Sequence, residues 1–197
     1  MSSIRWITSF SILLAISLVS ALPLAAEESS LCAPVGAGAS IETRDLDGRI
    51  GPEWDDAARQ PLVLGSYTAT ALLKHDGARL YLALIIETGR KLPGVIDGFI
   101  VFDNGDGRLY AQGDDMTMVA AREGKLLEAD FTYRGPYDFV TDASLSGQVN
   151  AHGAGNYNPD RKVYVFEFVK DLAPDGCCDV DLTHGLNVLL VVGWSSG

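Results

Sequence analysis

From about residue 68 onward, apolar and polar positions alternate with a period of two. Leu80, Leu82, Leu84 and Ile86 alternate with Tyr81, Ala83 and Ile85, a nearly continuous apolar run that predicts a strand buried on both faces. His75-Asp76-Gly77 before it reads as a hairpin turn to a second strand over 68–74. Residues 98–102 are apolar and lead into an acidic loop. Runs at 116–121 and 126–133 flank Glu123-Gly124, another turn signal. Over 162–169, Tyr164, Phe166 and Phe168 fall on one side and Val163, Val165 and Glu167 on the other. In 186–194, Val188, Leu190 and Val192 alternate with Leu189 and Val191.

One stretch breaks this period. Pro52-Glu53-Trp54-Asp55-Asp56-Ala57-Ala58 has Pro at its start and acids in its first turn, which predicts one short N-terminal helix. About seven to nine strands separated by Gly, Asp and Pro then argue for an all-β antiparallel sandwich or barrel. No linker interrupts the pattern, so one domain is expected over 41–197, after a small, polar leader at 27–40.

The first residues have a different character. Arg5 is the only charge before Glu27, and Ile12-Leu13-Leu14-Ala15-Ile16-Ser17-Leu18-Val19 lies between them. Ala25-Ala26 follows, just before Glu27-Glu28. This is the charged, apolar, small-residue order of a secretory signal peptide at 1–26. The run is too short and too broken by Ser for a span of about 20 apolar residues. The expected location is secreted or periplasmic, with no membrane span once the signal is cleaved.

Charge narrows the partners. The chain carries 26 acids against 15 Lys and Arg, for a net charge of −11. Losing Arg5 with the signal makes it one unit more negative. Such a surface repels nucleic acid and anionic lipid and suits neutral ligands or cations. Export permits disulfides, and the cysteines are Cys32, Cys177 and Cys178. A bridge from Cys32 to one of the pair, Cys177 by preference, would tie the two ends together and leave one thiol over.

Four segments, in order, resemble one superfamily. Asp47-Gly48-Arg49-Ile50-Gly51-Pro52-Glu53-Trp54-Asp55-Asp56-Ala57 is similar to the opening signature of family 9 carbohydrate-binding modules. Lys74-His75-Asp76-Gly77-Ala78-Arg79-Leu80-Tyr81-Leu82-Ala83-Leu84 looks like the hairpin that follows it there. Phe102-Asp103-Asn104-Gly105-Asp106-Gly107, then Gly113-Asp114-Asp115, is similar to an acidic loop of exported members. Tyr164-Val165-Phe166-Glu167-Phe168 resembles a late "Tyr-x-Phe-Glu" strand. The resemblance implies a jelly-roll-like antiparallel β-sandwich, related to DOMON domains, that binds a polysaccharide or glycan without catalysis. It also implies an alternative, since relatives include b-type haem carriers of the ethylbenzene dehydrogenase γ-subunit type.

Residue chemistry supplies the candidate sites. Calcium takes about six to eight hard oxygen ligands. Asp103, Asn104, Asp106, Asp114 and Asp115 offer five oxygen-bearing side chains within 13 residues, although Gly105 departs from EF-hand spacing. Sugar stacking needs exposed aromatic faces. Trp54 falls on the resemblance's structural position, which leaves Trp194 and loop tyrosines such as Tyr110 as platforms. For haem b the donors would be Met116, Met118, Lys170, His152 and His184. No nucleophile elbow, zincin motif or phosphate loop is present. Adjacent acids such as Asp114-Asp115 point to opposite faces of a strand, which does not suit a glycosidase pair. A non-enzymatic binding protein is the expectation.

Overall fold

A computed structural model describes residues 39–102, 111–123, 125–128, 130–135, 138–173, 181–182 and 188–195, with side chains of 126–128 and 188–195 excepted. Eleven strands are found among them: β1 (Ala58–Leu64), β2 (Tyr67–His75), β3 (Arg79–Glu87), β4 (Val95–Phe102), β5 (Asp115–Ala120), β6 (Leu126–Glu128), β7 (Asp130–Gly135), β8 (Asp138–Thr141), β9 (Ala151–Asn158), β10 (Val163–Asp171) and β11 (Val188–Ser195). They form a six-stranded sheet, β1-β2-β3-β10-β9-β6, and a five-stranded sheet, β11-β4-β5-β7-β8. Every strand pair is antiparallel. The protein is an antiparallel β-sandwich.

Alternation within the strands builds two apolar layers. Leu82, Leu84, Ile86, Phe166 and Phe168 of the six-stranded sheet meet Ile96, Ile100, Phe102 and Val119 of the other between the sheets. The opposite set, Tyr81, Ala83, Ile85, Val163, Val165 and Val169, is sealed by Ile41, Leu46 and Trp54 from the N-terminal segment. This second layer explains why β3 and β10 read as apolar on both faces. Glycines set the sheet separation in places: a Cβ on Gly98 would stand 2.8 Å from the Phe166 ring, and one on Gly153 would stand 2.3 Å from a Val119 methyl.

Three sequence expectations change. The short helix over 52–58 is a single 3-10 turn, Pro52–Trp54, and Ala58 already begins β1. Pro61 explains the early end, because it removes a donor and biases Gln60 toward extended backbone; β1 is an edge strand, where Pro is tolerated. The run 126–133 is not one strand, because β6 pairs with β9 in one sheet and β7 with β5 in the other. β1, β8 and β9 are additional to the predicted set. Among the described residues no helix is long and apolar enough to cross a membrane.

Candidate functional site

The residues that carry the sequence resemblance converge on one buried carboxylate. Glu167 projects from β10 and is fully buried. One of its oxygens accepts N–H bonds from Asp47 at 2.9 Å and Gly48 at 2.6 Å, and the other accepts the Trp54 indole N–H at 2.7 Å. Gly48 has φ +73°, and a Cβ there would stand 2.6 Å from Asn156 Cβ, so only glycine fits. Burial lifts the Glu167 carboxyl to about 7 from its usual 4.5, against the pull of its three donors. A carboxyl near neutrality suggests an acid catalyst, but this one is fully buried and both its oxygens hold N–H donors. It is a structural clasp.

The other signature residues are also scaffold. Lys74 is buried, and its ammonium donates to the Glu53 carbonyl, to the Ala39 carbonyl at 3.0 Å and to Asp56 Oδ1 at 2.9 Å. This pins the segment 39–56 onto the six-stranded sheet. In the hairpin turn, Tyr81 Oη donates to Asp76 Oδ2 at 2.6 Å, and the Ala78 and Arg79 amides donate to Asp76 Oδ1. Burial opposes ionisation of Asp76, but those donors outweigh it and hold the carboxyl well below the usual carboxylate range. Burial and then Asp76 push the Tyr81 phenol up to about 12.

A second polar group lies between the sheets. The Lys170 ammonium at the end of β10 is 2.9 Å from Asp115 Oδ2, 3.1 Å from Asp130 Oδ1 and 2.8 Å from Asn150 Oδ1. Asp130 Oδ2 also accepts the Asn150 amide at 2.9 Å. Thr132, registered opposite Asp115, donates to Asp142 Oδ1 at 2.6 Å. All of these residues are buried. One ammonium thus joins β10 of one sheet to β5 and β7 of the other, in place of the apolar contacts made by Phe166 and Phe168.

This group decides where two sequence-predicted sites stand. Asp114 and Asp115 are both fully buried. Asp114 Oδ2 accepts the Ala111 amide at 2.8 Å, whereas Asp115 faces Lys170. Asp103, Asn104, Asp106 and Tyr110 lie outside the described residues, as do Cys32 and Cys177. No cluster of three or more His, Cys, Asp or Glu among the described residues is arranged to hold a metal. The haem donors are not brought together. Lys170 points between the sheets, Met116 and Met118 alternate onto the outer face of β5, and His152 is registered beside Val169 on the outer face of the other sheet. His184 lies outside the described residues.

The outer face of the five-stranded sheet carries a row of apolar and aromatic residues. Asp115 and Val119 face inward, so Met116, Met118 and Ala120 face outward. Register places Val101 beside Met116, Phe99 beside Met118 and Asp97 beside Ala120 on that face. Phe131 lies opposite Met116 on the far side, and Tyr133 lies opposite Phe139 with ring centroids 5.1 Å apart. Val101 and Met116 are fully buried in the middle, whereas Phe99, Met118, Phe131 and Phe139 are half-buried. Burial raises the Asp97 carboxyl above its ordinary value, and the charge of Arg122 partly offsets this. Trp194 is registered opposite Ile96 in β11. On the opposite sheet, the segment 39–57 packs over the outer face of β2, β3 and β10.

Sequence reasoning missed this face and the Lys170 group. The available signal for Lys170 was a charge continuing the set Tyr164, Phe166, Phe168, a position that demands a buried partner.

No protein-family model matches the chain, and no curated protein does. Two solved structures do. The chain is similar to family 9 carbohydrate-binding modules in fold. One, from Caldicellulosiruptor kristjanssonii in complex with cellotriose, aligns with a TM-score of 0.45 and 12% identity over 81% of this chain and 82% of that one. The other, from the same organism in complex with glucose, aligns with a TM-score of 0.41 and 12% identity over 81% and 83%.

Proposed function

We propose that this chain is an exported, non-catalytic module that binds a polysaccharide or glycan. The observation that carries this reading is the outer face of the five-stranded sheet, which presents half-buried Phe99, Phe131 and Phe139 along its length and, beside Phe99, a partly buried carboxylate, Asp97. Flat apolar rings stack on the C–H faces of sugars, and nearby polar groups fix orientation. The acidic chain favours neutral glycans over anionic ones. The sequence resemblance supports the same class, because Asp47-Gly48, Trp54 and Glu167 form one interlocked unit. Export rests on the signal-like order of residues 1–26.

A structural calcium belongs to the same proposal, held by Asp103, Asn104 and Asp106 with Asp114. Asp115 is already engaged by Lys170, so the loop supplies the ligands. A chelator is expected to lower the melting temperature, and calcium in excess to restore it; an unchanged transition would remove the ion from the proposal.

The test of function is retention in native gels containing soluble β-glucans, xylan, galactomannan and other neutral polysaccharides, backed by pull-down on insoluble ones. Retention on at least one, lost in a Phe99→Ala, Phe131→Ala double variant that still folds, is expected. No retention across the panel would overturn the glycan reading.

A further inference from the structure

The outer face of the five-stranded sheet is uneven along its length, and the unevenness has a chemical sense. At one end the lateral neighbours of β4 are large: Phe99 lies between Met118 of β5 and Val191 of β11. Two residues along, Asp97 lies between Ala120 and Gly193. One neighbour carries a single methyl and the other no side chain. With strands about 4.8 Å apart, the register leaves only small residues beside the Asp97 carboxylate across about 10 Å of sheet. Ile96 and Gly98 face the opposite way, since Ile96 joins the inter-sheet core and a Cβ on Gly98 would meet Phe166. The chain leaves β5 at this level: the Ala121 amide donates to the Ile96 carbonyl at 2.8 Å and the Arg122 amide to the Ala120 carbonyl at 2.9 Å. That places Arg122 just past the end of β5, two residues beyond the partner of Asp97, where its charge acts on that carboxyl.

We propose that Asp97 and Arg122 form the polar recognition pair of this face, taking two adjacent hydroxyls of a neutral pyranose whose ring lies on Phe99. Positions 97 and 99 on one strand face are about 6.6 Å apart, so a ring stacked on the phenyl group sets its edge over the carboxylate. An ionised carboxylate accepts from two hydroxyls at once, and the guanidinium donates to hydroxyl oxygens. The pair is locally balanced in charge. It fits hydroxyls, which donate to Asp97 and accept from Arg122, whereas a uronate carboxylate has no proton to give Asp97 and an ammonium has no lone pair for Arg122. This deepens the glycan-binding reading and rests on it.

Among the described residues, few charges lie near Asp97. β5 brings Arg122 and, in the same exposed turn, Glu123 and Lys125; β11 brings no titratable residue between Val188 and Ser195. Burial raises the Asp97 carboxyl and Arg122 lowers it, so acidification protonates Asp97 sooner than an ordinary carboxylate. The protonated group gives up one acceptor site, and affinity falls.

The experiment is calorimetric titration of the full chain with cellohexaose, xylohexaose, mannohexaose and laminarihexaose, and with chitosan and galacturonate oligomers. It is run at several pH values on wild type, Asp97→Asn, Arg122→Gln and Phe99→Ala, each checked for folding by circular dichroism. A neutral oligomer is expected to bind best and to weaken on acidification. Asp97→Asn should weaken it about 10-fold or more and abolish the pH dependence, and Arg122→Gln should weaken it to a smaller degree. Wild-type affinity and an unchanged pH profile in Asp97→Asn, with binding still lost in Phe99→Ala, would overturn this inference while leaving the glycan reading intact. Preference for the galacturonate or chitosan oligomer would also overturn it. Failure of wild type to bind any oligomer would overturn both.

Discussion

Glu167 offers a test in which two opposing forces on one carboxyl can be weighed. Three N–H donors at 2.6–2.9 Å favour its ionised form, while complete burial favours the neutral one. Burial prevails and sets the carboxyl at about 7, against 4.5 in an exposed chain. Folding thus raises this pKa, and between pH 4.5 and 7 the folded protein holds the proton more tightly than the unfolded chain. The stability this group contributes is full below pH 4.5, falls as pH rises toward 7, and is constant above. The interval corresponds to about 3 kcal/mol.

Glu167→Gln removes the titration and keeps the shape and one acceptor. Urea unfolding of both proteins at pH 4.5, 5.5, 6.5 and 8 gives a stability difference in which the other titrating groups cancel. Wild type minus variant is expected to shrink by about 3 kcal/mol from pH 4.5 to 8, with most of the change below 7. A difference that stays flat would mean that folding does not raise the Glu167 pKa. The donors from Asp47, Gly48 and Trp54 would then balance or outweigh burial, and the reasoning would be wrong.

Three further outcomes follow from the packing. Gly48→Ala places a methyl 2.6 Å from Asn156 Cβ at φ +73°, and the expected cost is at least about 1–3 kcal/mol, read as a lower melting temperature. Lys170→Met takes the ammonium away from Asp115 and Asp130, both buried, and should cost about 3–5 kcal/mol in denaturant unfolding. Lys74→Met releases the ties to Ala39, Glu53 and Asp56; faster hydrogen exchange is expected over 39–57 with little change in β4 and β5, and uniform exchange would show that this lysine does not pin the segment.

Much of the sandwich is legible in the sequence because it is written in local alternation. β3 and β10 are unbroken apolar runs bounded by turn signals, and their bounds fall within a residue or two of expectation. β9 is not legible for the same reason in reverse. Its sequence, Ala151-His152-Gly153-Ala154-Gly155-Asn156-Tyr157-Asn158, carries glycines where β-branched residues would announce a strand. Those glycines exist because Val119 and the Ala120 carbonyl of the opposite sheet, and Phe166 of the neighbouring strand β10, approach too closely for a Cβ, a constraint that only the assembled sandwich imposes. The break between β6 and β7 is likewise a decision about which sheet to join, and period two cannot express it.

The candidate site is less legible than the fold, and the reason lies in what each class of residue must satisfy. Trp54, Gly48, Tyr81 and Glu167 stand out in the sequence because each meets a strict demand of geometry, such as a left-handed turn or a buried carboxylate needing donors. Those demands are structural, so the conspicuous motifs locate the clasp and not the ligand. A binding face on a sheet is assembled from single residues of neighbouring strands, Phe99 from β4, Met118 from β5, Phe131 from β7 and Phe139 from β8, that lie far apart in sequence. Each is only a half-buried apolar residue at an alternate position, indistinguishable locally from core. The opposite sheet carries a described cover, the segment 39–57 that the conspicuous motifs hold down. The signature and the site are thus related by exclusion. By sealing the outer face of the six-stranded sheet, the Glu167 clasp places the proposed glycan site on the other sheet.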